Sequence, residues 1–166
     1  MEYNIRLLNE NDYESVKDIF MQAIKSKVVT FHTGVPSYEE WDQSHLKDCR
    51  YVAVDENNSV LGWIALSPTS SRYVYRGVLD ISIYIDCVHR GKHIGTQLLA
   101  KVIYESEKLG IWTLQSGIFE INEASIALHK KCGFRIVGVR ERVGQDMDGN
   151  WQNTVIMERR SKVCGL

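Results

Sequence analysis

A mixed α+β domain spanning residues 1–166, with one sheet of about seven strands in a three-layer α/β/α arrangement with about four helices, is what the sequence predicts. Three observations carry that expectation. Segments of strand and helix periodicity follow one another in the order β-α-α-β-β-β-α-β-α-β-β, which suits a mixed sheet covered by helices. One segment, Val78–Ile85, alternates cleanly between two faces. The chain has 166 residues, 44% apolar and 25% charged. That is enough for a core that needs neither a metal nor a disulfide.

Taken in order, Ile5, Leu7 and Leu8 open the chain as a short strand. Asn11 is a candidate N-cap with Glu14 three positions on, ahead of Val16, Ile19, Phe20, Ala23 and Ile24 at helical spacing. A second, weaker helix is expected after Pro36-Ser37, through Tyr38, Trp41 and Leu46. The apolar runs Tyr51–Val54 and Val60–Leu66 flank Asp55-Glu56-Asn57-Asn58 and predict a hairpin. Ser67–Ser71 is polar and contains Pro68, so it is expected to be a loop. In the strand Val78–Ile85, Leu79, Ile81, Ile83 and Ile85 face one way; Val78, Asp80, Ser82 and Tyr84 face the other. After the basic loop Cys87–His93, a stripe of Ile94, Leu98, Leu99, Val102 and Ile103 predicts a helix ending near Gly110. Trp112–Ile118 is a further strand, and Asn122 caps a helix that stops at Cys132-Gly133. Arg135–Val143 and Trp151–Met157 then flank the turn Asp146–Asn150 as a second hairpin.

Composition excludes several classes of function. Twenty basic against twenty-one acidic side chains leave a net charge of −1, which does not suit a nucleic-acid binder that depends on counterion release. No apolar run approaches the roughly 18 residues of a membrane span, and the first residues lack the pattern of a signal peptide. The expected setting is the cytoplasm. Cys49, Cys87, Cys132 and Cys164 are widely spaced, with no C-x-x-C pair. Free thiols, no disulfide framework and no metal site are expected.

Two features carry chemistry. The strand ending at Ile85, the basic Gly-containing loop and the following helix N-terminus together make an anion site, because loop N–H groups, helix dipole and the charges of Arg90 and Lys92 converge. Neither a Walker loop nor a dinucleotide fingerprint is present. The spacing alone leaves phosphate binding and a plain solvated turn equally open. Asp80, a carboxylate amid Ile and Val, is either paired structurally or raised in pKa toward a useful base.

These residues resemble a known family. Arg90-Gly-Lys-His-Ile-Gly95 is similar to the [QR]-x-x-G-x-[GA] acyl-CoA loop of the GNAT N-acetyltransferases. Asn122-Glu-Ala-Ser-Ile-Ala-Leu-His129, running on to Gly133-Phe134, is similar to their N-x-x-[AS]-x-x-L-[YH]-x-x-x-G-F signature. Thr30-Phe31, Glu39-Glu40-Trp41, Tyr75-Arg76-Gly77 and Gly144–Trp151 narrow the likeness to the phosphinothricin and methionine sulfoximine acetyltransferase branch.

The resemblance implies transfer of an acetyl group from acetyl-CoA to the amine of a small amino-acid-like acceptor, by direct attack in a ternary complex and without a metal. Alternatives are an acetyltransferase of protein N-termini, polyamines or antibiotics, or a non-catalytic acyl-CoA-binding module. It also implies a sheet splayed near the acyl-CoA site. There Ile83, Tyr84 and Ile85 would meet the pantetheine arm and the thioester. Arg90, Gly91, Lys92, His93, Ile94, Gly95 and Thr96 would hold the pyrophosphate, with Asn122 across the split. Asp80 stands where the branch carries a Glu general base, and His129 where many relatives carry a Tyr that protonates the CoA sulfur. Phe31, Arg72, Tyr75 and Arg76 are acceptor-site candidates, the two arginines by gripping a carboxylate, and Trp41 joins Phe31 and Tyr75 as a candidate apolar wall. A homodimer is expected on the same footing. One departure is local: His93 replaces a glycine usual in the loop, which matters if the position needs a positive φ.

Overall fold

In the computed structural model, which describes residues 2–166, the chain runs β1 (Asn4–Leu7), α1 (Tyr13–Ser26), α2 (Tyr38–Ser44), β2 (Tyr51–Val54), β3 (Val60–Pro68), β4 (Val78–Ile85), α3 (Ile94–Lys108), β5 (Thr113–Phe119), α4 (Glu123–Lys131), β6 (Arg135–Gln145) and β7 (Trp151–Arg160). The strands form one sheet in the order β1-β2-β3-β4-β5-β7-β6. Every neighbouring pair is antiparallel except β4–β5, which is parallel.

The two faces of β4 separate the core into two bodies. Leu79 and Ile81 pack with Ile94, Leu98, Leu99 and Val102 of α3, and Ile126 and Leu128 of α4 lie against the same cluster. Trp63, Ala65 and Tyr84 look the other way, onto Val16, Ile19, Phe20 and Ala23 of α1 and Trp41 of α2. The sheet is thus sandwiched, as the strand alternation predicts. Each fully buried aliphatic side chain here contributes roughly 1.5–3 kcal/mol relative to exposure.

Three expectations are corrected. The N-terminal cap of the first helical segment is Asn9, not Asn11: Asn9 and Asp12 form a capping box over a single 3-10 turn, Glu10–Asp12, and α1 starts only at Tyr13. The Arg6 guanidinium fixes that turn by holding both Asp12 carboxylate oxygens at 2.8 Å. Helix α2 stops at Ser44, so Leu46 lies beyond it. There the buried Arg50 guanidinium donates to the carbonyls of Asp42 and His45, and the Leu46 amide donates to Leu66 O at 2.8 Å. Finally, Ser67 and Pro68 belong to β3 rather than to a loop, because they continue the ladder opposite Asp80 and Leu79.

The segment between α1 and α2 crosses toward the far side of the sheet. Lys27, in the left-handed region with φ 60°, ends α1. Its Nζ reaches Asp148 at the β6–β7 turn at 2.7 Å. Phe31 packs edge-on against Phe119, with ring centroids 4.5 Å apart, and lies over Gly144, where a Cβ would stand 3.0 Å from the ring.

Candidate active site

Pairing between β4 and β5 covers only Val78–Thr113, Leu79–Leu114 and Asp80–Gln115. Beyond that point β5 stays with β7 to its end, and β4 continues to Ile85 paired with β3 alone. The sheet therefore forks at Asp80. Along Ile81–Ile85 the backbone groups turned toward β5 face an opening instead of a ladder.

The opening widens into a cleft of about 480 Å³. Ile83, Tyr84 and Ile85 form one wall, and Asn122, Ser125 and Leu128 of α4 the other. Arg90, Gly91, His93, Ile94, Gly95 and Thr96 close its end, with Ala23, Val28 and Val29 above. Of the expected cofactor residues only Lys92 does not line the cleft; its Nζ donates to Val88 O at 3.3 Å. At the start of the loop, Asp86 accepts from Gln22 Nε2 and from the Val88 amide, both at 3.0 Å, and Gln22 Oε1 accepts from the Cys87 amide at 2.9 Å. Gly91 (φ 76°) and His93 (φ 63°) are both left-handed, which turns the chain sharply into α3. His93 sits at the N-cap position but makes no side-chain cap. The first-turn amides of α3 are thus available to an anion. Gly95 lets α4 come close, since a Cβ there would lie 3.1 Å from Leu128 Cδ2.

Asp80 stands at the fork. Its Oδ1 accepts from Gln115 Nε2 at 2.9 Å. Burial raises its pKa above the usual carboxylate range, against the opposing effects of that hydrogen bond and the Arg140 charge. The direction is the one a general base requires near neutral pH.

His129 is placed differently from the sequence expectation of a residue facing the cleft. It is fully buried and does not line the wall. Its Nδ1 lies 2.8 Å from Ser125 O. A carbonyl only accepts, so Nδ1 carries the hydrogen. Nε2 is then the bare nitrogen, buried with no partner. Burial holds the pKa below the ordinary histidine value. Phe134 packs edge-on against the ring at 5.0 Å.

Asn122 is both a lining residue and the cap of α4, accepting from the Ser125 amide at 3.2 Å. The acceptor candidates are less concentrated. Phe31, Arg72, Tyr75 and Arg76 are exposed and line neither the cleft nor the hollow described next. The Arg72 guanidinium lies over Tyr75, and Arg76 over Tyr73 and Trp112. Trp41, expected in an apolar wall, does line a hollow. This second space, about 250 Å³, lies on the α1/α2 side of the sheet among Phe20, Trp41, Trp63, Ser67, Ser82 and Tyr84, with His32 and His45 at its edge. Tyr84 bounds both spaces, and burial pushes its hydroxyl up to about 12.

Several lining residues escape a reading of the sequence. Ala23, in the last turn of α1, and Val28 and Val29, just past its end, carry no local mark of a binding role. Ala124, Ser125, Ala127 and Leu128 do carry one: they fall within the Asn122–His129 segment that is similar to the family signature. Burial raises the Cys132 thiol and pushes Cys49 up to about 11, which disfavours a thiolate at either. Among the described residues no three His, Cys, Asp or Glu side chains are grouped to hold a metal.

Comparison with known proteins points in one direction. The sequence pattern of the Acetyltransferase (GNAT) family matches residues 15–134. A Bacillus subtilis protein provisionally named phosphinothricin acetyltransferase is 35% identical over 93% of this chain and 97% of its own. An L-methionine sulfoximine/L-methionine sulfone acetyltransferase of Pseudomonas paraeruginosa is 34% identical over 64% of this chain and 62% of its own. The crystal structure of a phosphinothricin acetyltransferase from Sinorhizobium meliloti in complex with acetyl-CoA superposes with a TM-score of 0.90 at 28% identity, covering 99% of this chain and 91% of that one.

Proposed function

The chain belongs to the GNAT acetyltransferase family, and from that premise we propose that it moves an acetyl group from acetyl-CoA to the amine of a small amino-acid-like acceptor of the phosphinothricin or methionine sulfoximine type. The observation that carries this reading is the fork at Asp80, opening into a cleft that ends at a left-handed loop and a helix N-terminus. Such a cleft suits one long molecule with an amide-rich arm and a diphosphate. The open edge of Ile83–Ile85 offers strand-like hydrogen bonds to the arm. The amides of Gly95 and Thr96, with Arg90, offer donors and positive charge to the diphosphate. Bound there, acetyl-CoA supplies an activated acetyl group.

The chain's own residues do the rest. Asp80 takes the proton from the incoming amine, through one water because its side chain is short. An amide of the open β4 edge holds the charge that develops on the thioester oxygen. The departing sulfur takes up the proton that Asp80 and its water have drawn from the amine. His129, sealed off with its hydrogen on Ser125 O and its pKa depressed, positions the first turn of α4 rather than giving that proton. In this reading Lys92 and His93 add their side chains beside the diphosphate, whereas Phe31, Arg72, Tyr75 and Arg76 line neither space and would meet the acceptor only outside them. The working unit is a single domain in the cytoplasm. It pairs as a homodimer through the edge strand β6, where Val137, Val139 and Val143 are exposed.

The test is release of CoA thiol from acetyl-CoA while amino acids, sulfoximines, polyamines and peptides are offered in turn. Turnover with α-amino acids is expected. Turnover with peptides or polyamines alone, or stabilisation by CoA without turnover, replaces this reading with one of the alternatives.

A further inference from the structure

We propose that the hollow on the α1/α2 side of β4 receives the acceptor's side chain, and that its lining selects an uncharged aromatic ring, so that amino acids with an aryl or indolyl side chain are the favoured acceptors. The inference rests on the proposed transfer to an amino-acid amine and narrows its acceptor to one with an uncharged side chain, which sets aside the anionic phosphinate of phosphinothricin.

The hollow lies next to the reacting groups. Asp80, Ser82 and Tyr84 are successive residues on one face of β4. Ser82 and Tyr84 line the hollow, and so does Ser67, the register partner of Asp80 on β3. It therefore begins beside the Asp80 carboxylate and ends at Tyr84, which also bounds the acetyl-CoA cleft. An α-amine held at Asp80 has this space before it for the rest of its molecule.

The walls are rings. Phe20, Trp41, Trp63 and Tyr84 meet one another at centroid distances of 4.9 to 6.2 Å, in edge-on or tilted pairs. A further ring joins such a set by the same edge and offset contacts. No Asp, Glu, Lys or Arg lines the space, so a charged side chain would lose its water there without a counterion. About 250 Å³ is roughly the volume of eight waters, which suits one planar ring system. Trp41 and Trp63, each 1% exposed, present ring surface, and their partnerless indole N–H groups are sealed behind it. His45 Nδ1 lies 2.8 Å from the carbonyl of Trp41 and donates to it, which leaves Nε2 as an acceptor for a phenol O–H or an indole N–H.

The test compares kcat/KM for L-phenylalanine, L-tryptophan, L-methionine and L-alanine in the wild type, in Ser82→Leu, which fills the mouth, and in the milder Ser82→Val. The wild type is expected to favour the aromatic pair at least tenfold, and each variant to narrow that gap, Leu more than Val. Equal rates for aromatic and aliphatic acceptors in the wild type, or an equal loss for all four in both variants, overturns the inference. If acetyl-CoA binds but no amine is acetylated, the proposed function has failed, and the hollow is judged by binding alone. A saturable change in tryptophan fluorescence on adding L-phenylalanine, weakened in Ser82→Leu, supports an aromatic site. No such change in the wild type overturns it.

Discussion

Replacing Asp80 with Asn separates the carboxylate's chemistry from its structural part. The side chain has one hydrogen-bond partner, Gln115 Nε2, and an Asn oxygen accepts that bond equally well. The variant removes a charge that burial disfavours, so stability is expected to hold or rise slightly. The rate behaves otherwise. General-base catalysis contributes about 10²–10⁴-fold, and at about 1.36 kcal/mol per decade this adds roughly 2.7–5.4 kcal/mol to the barrier. The pH dependence follows from the direction of the shift. A carboxyl raised above its ordinary value of about 3.9 stays protonated to higher pH, so wild-type activity climbs as pH rises through that raised value. Asp80→Asn loses both the rate and that limb, while Asp80→Glu keeps the limb. The assay is CoA-thiol release from pH 5 to 9 with the best acceptor, alongside acetyl-CoA binding, which is expected to change little. A variant that tracks the wild type at every pH would refute the reasoning.

Three further outcomes are expected. His93 is left-handed and makes no cap. His93→Gly relieves about 1–2 kcal/mol of backbone strain and gives back roughly 0.5–1 in chain entropy, whereas His93→Ala keeps the strain. Thermal melts should rank Gly at or above wild type and Ala below Gly by about 2–4 °C, taking the gap as about 1 kcal/mol; equal melting of the two variants contradicts this. A Cβ at Gly77 would land in the Trp112 ring. Gly77→Ala should then cost about 1–3 kcal/mol of denaturant-measured stability, and an unchanged midpoint would mean that Trp112 moves freely. For His129 the folded pKa is depressed by burial. The unfolded chain therefore takes up the proton first, at about 6.5, and stability falls as pH drops from there toward the folded value. His129→Phe should show a shallower decline of melting temperature between pH 7 and 5, and a decline as steep as wild type would free His129 of that role.

The legible parts of the molecule are those whose physics is local. The bounds of β4 agree at both ends, because strict alternation over eight residues admits one register. The loop from Arg90 to Gly95 and the Asn122 cap were equally plain, since turn and cap chemistry are written within a few residues. What the sequence hides depends on distant partners. Arg6 lies in another element from the turn it fixes, so nothing local to Asn11 marks Asn9 as the cap instead. Arg50 stops α2 from beyond its end. Trp41 and Tyr84 become walls of one hollow only when α2 is laid on β4. The fork was legible only through the family resemblance, which implied a splayed sheet: nothing near Gln115 itself announces that β5 will follow β7 rather than β4.

The tie between Lys27 and Asp148, with Phe31 pressed over Gly144, has a mechanical meaning. An exposed ion pair is worth under about 1 kcal/mol, so the aromatic contact bears most of the load. Val28 and Val29, the canopy of the cleft, sit between these two moorings. Any lever that tilts the tip of the last hairpin therefore pulls that canopy with it.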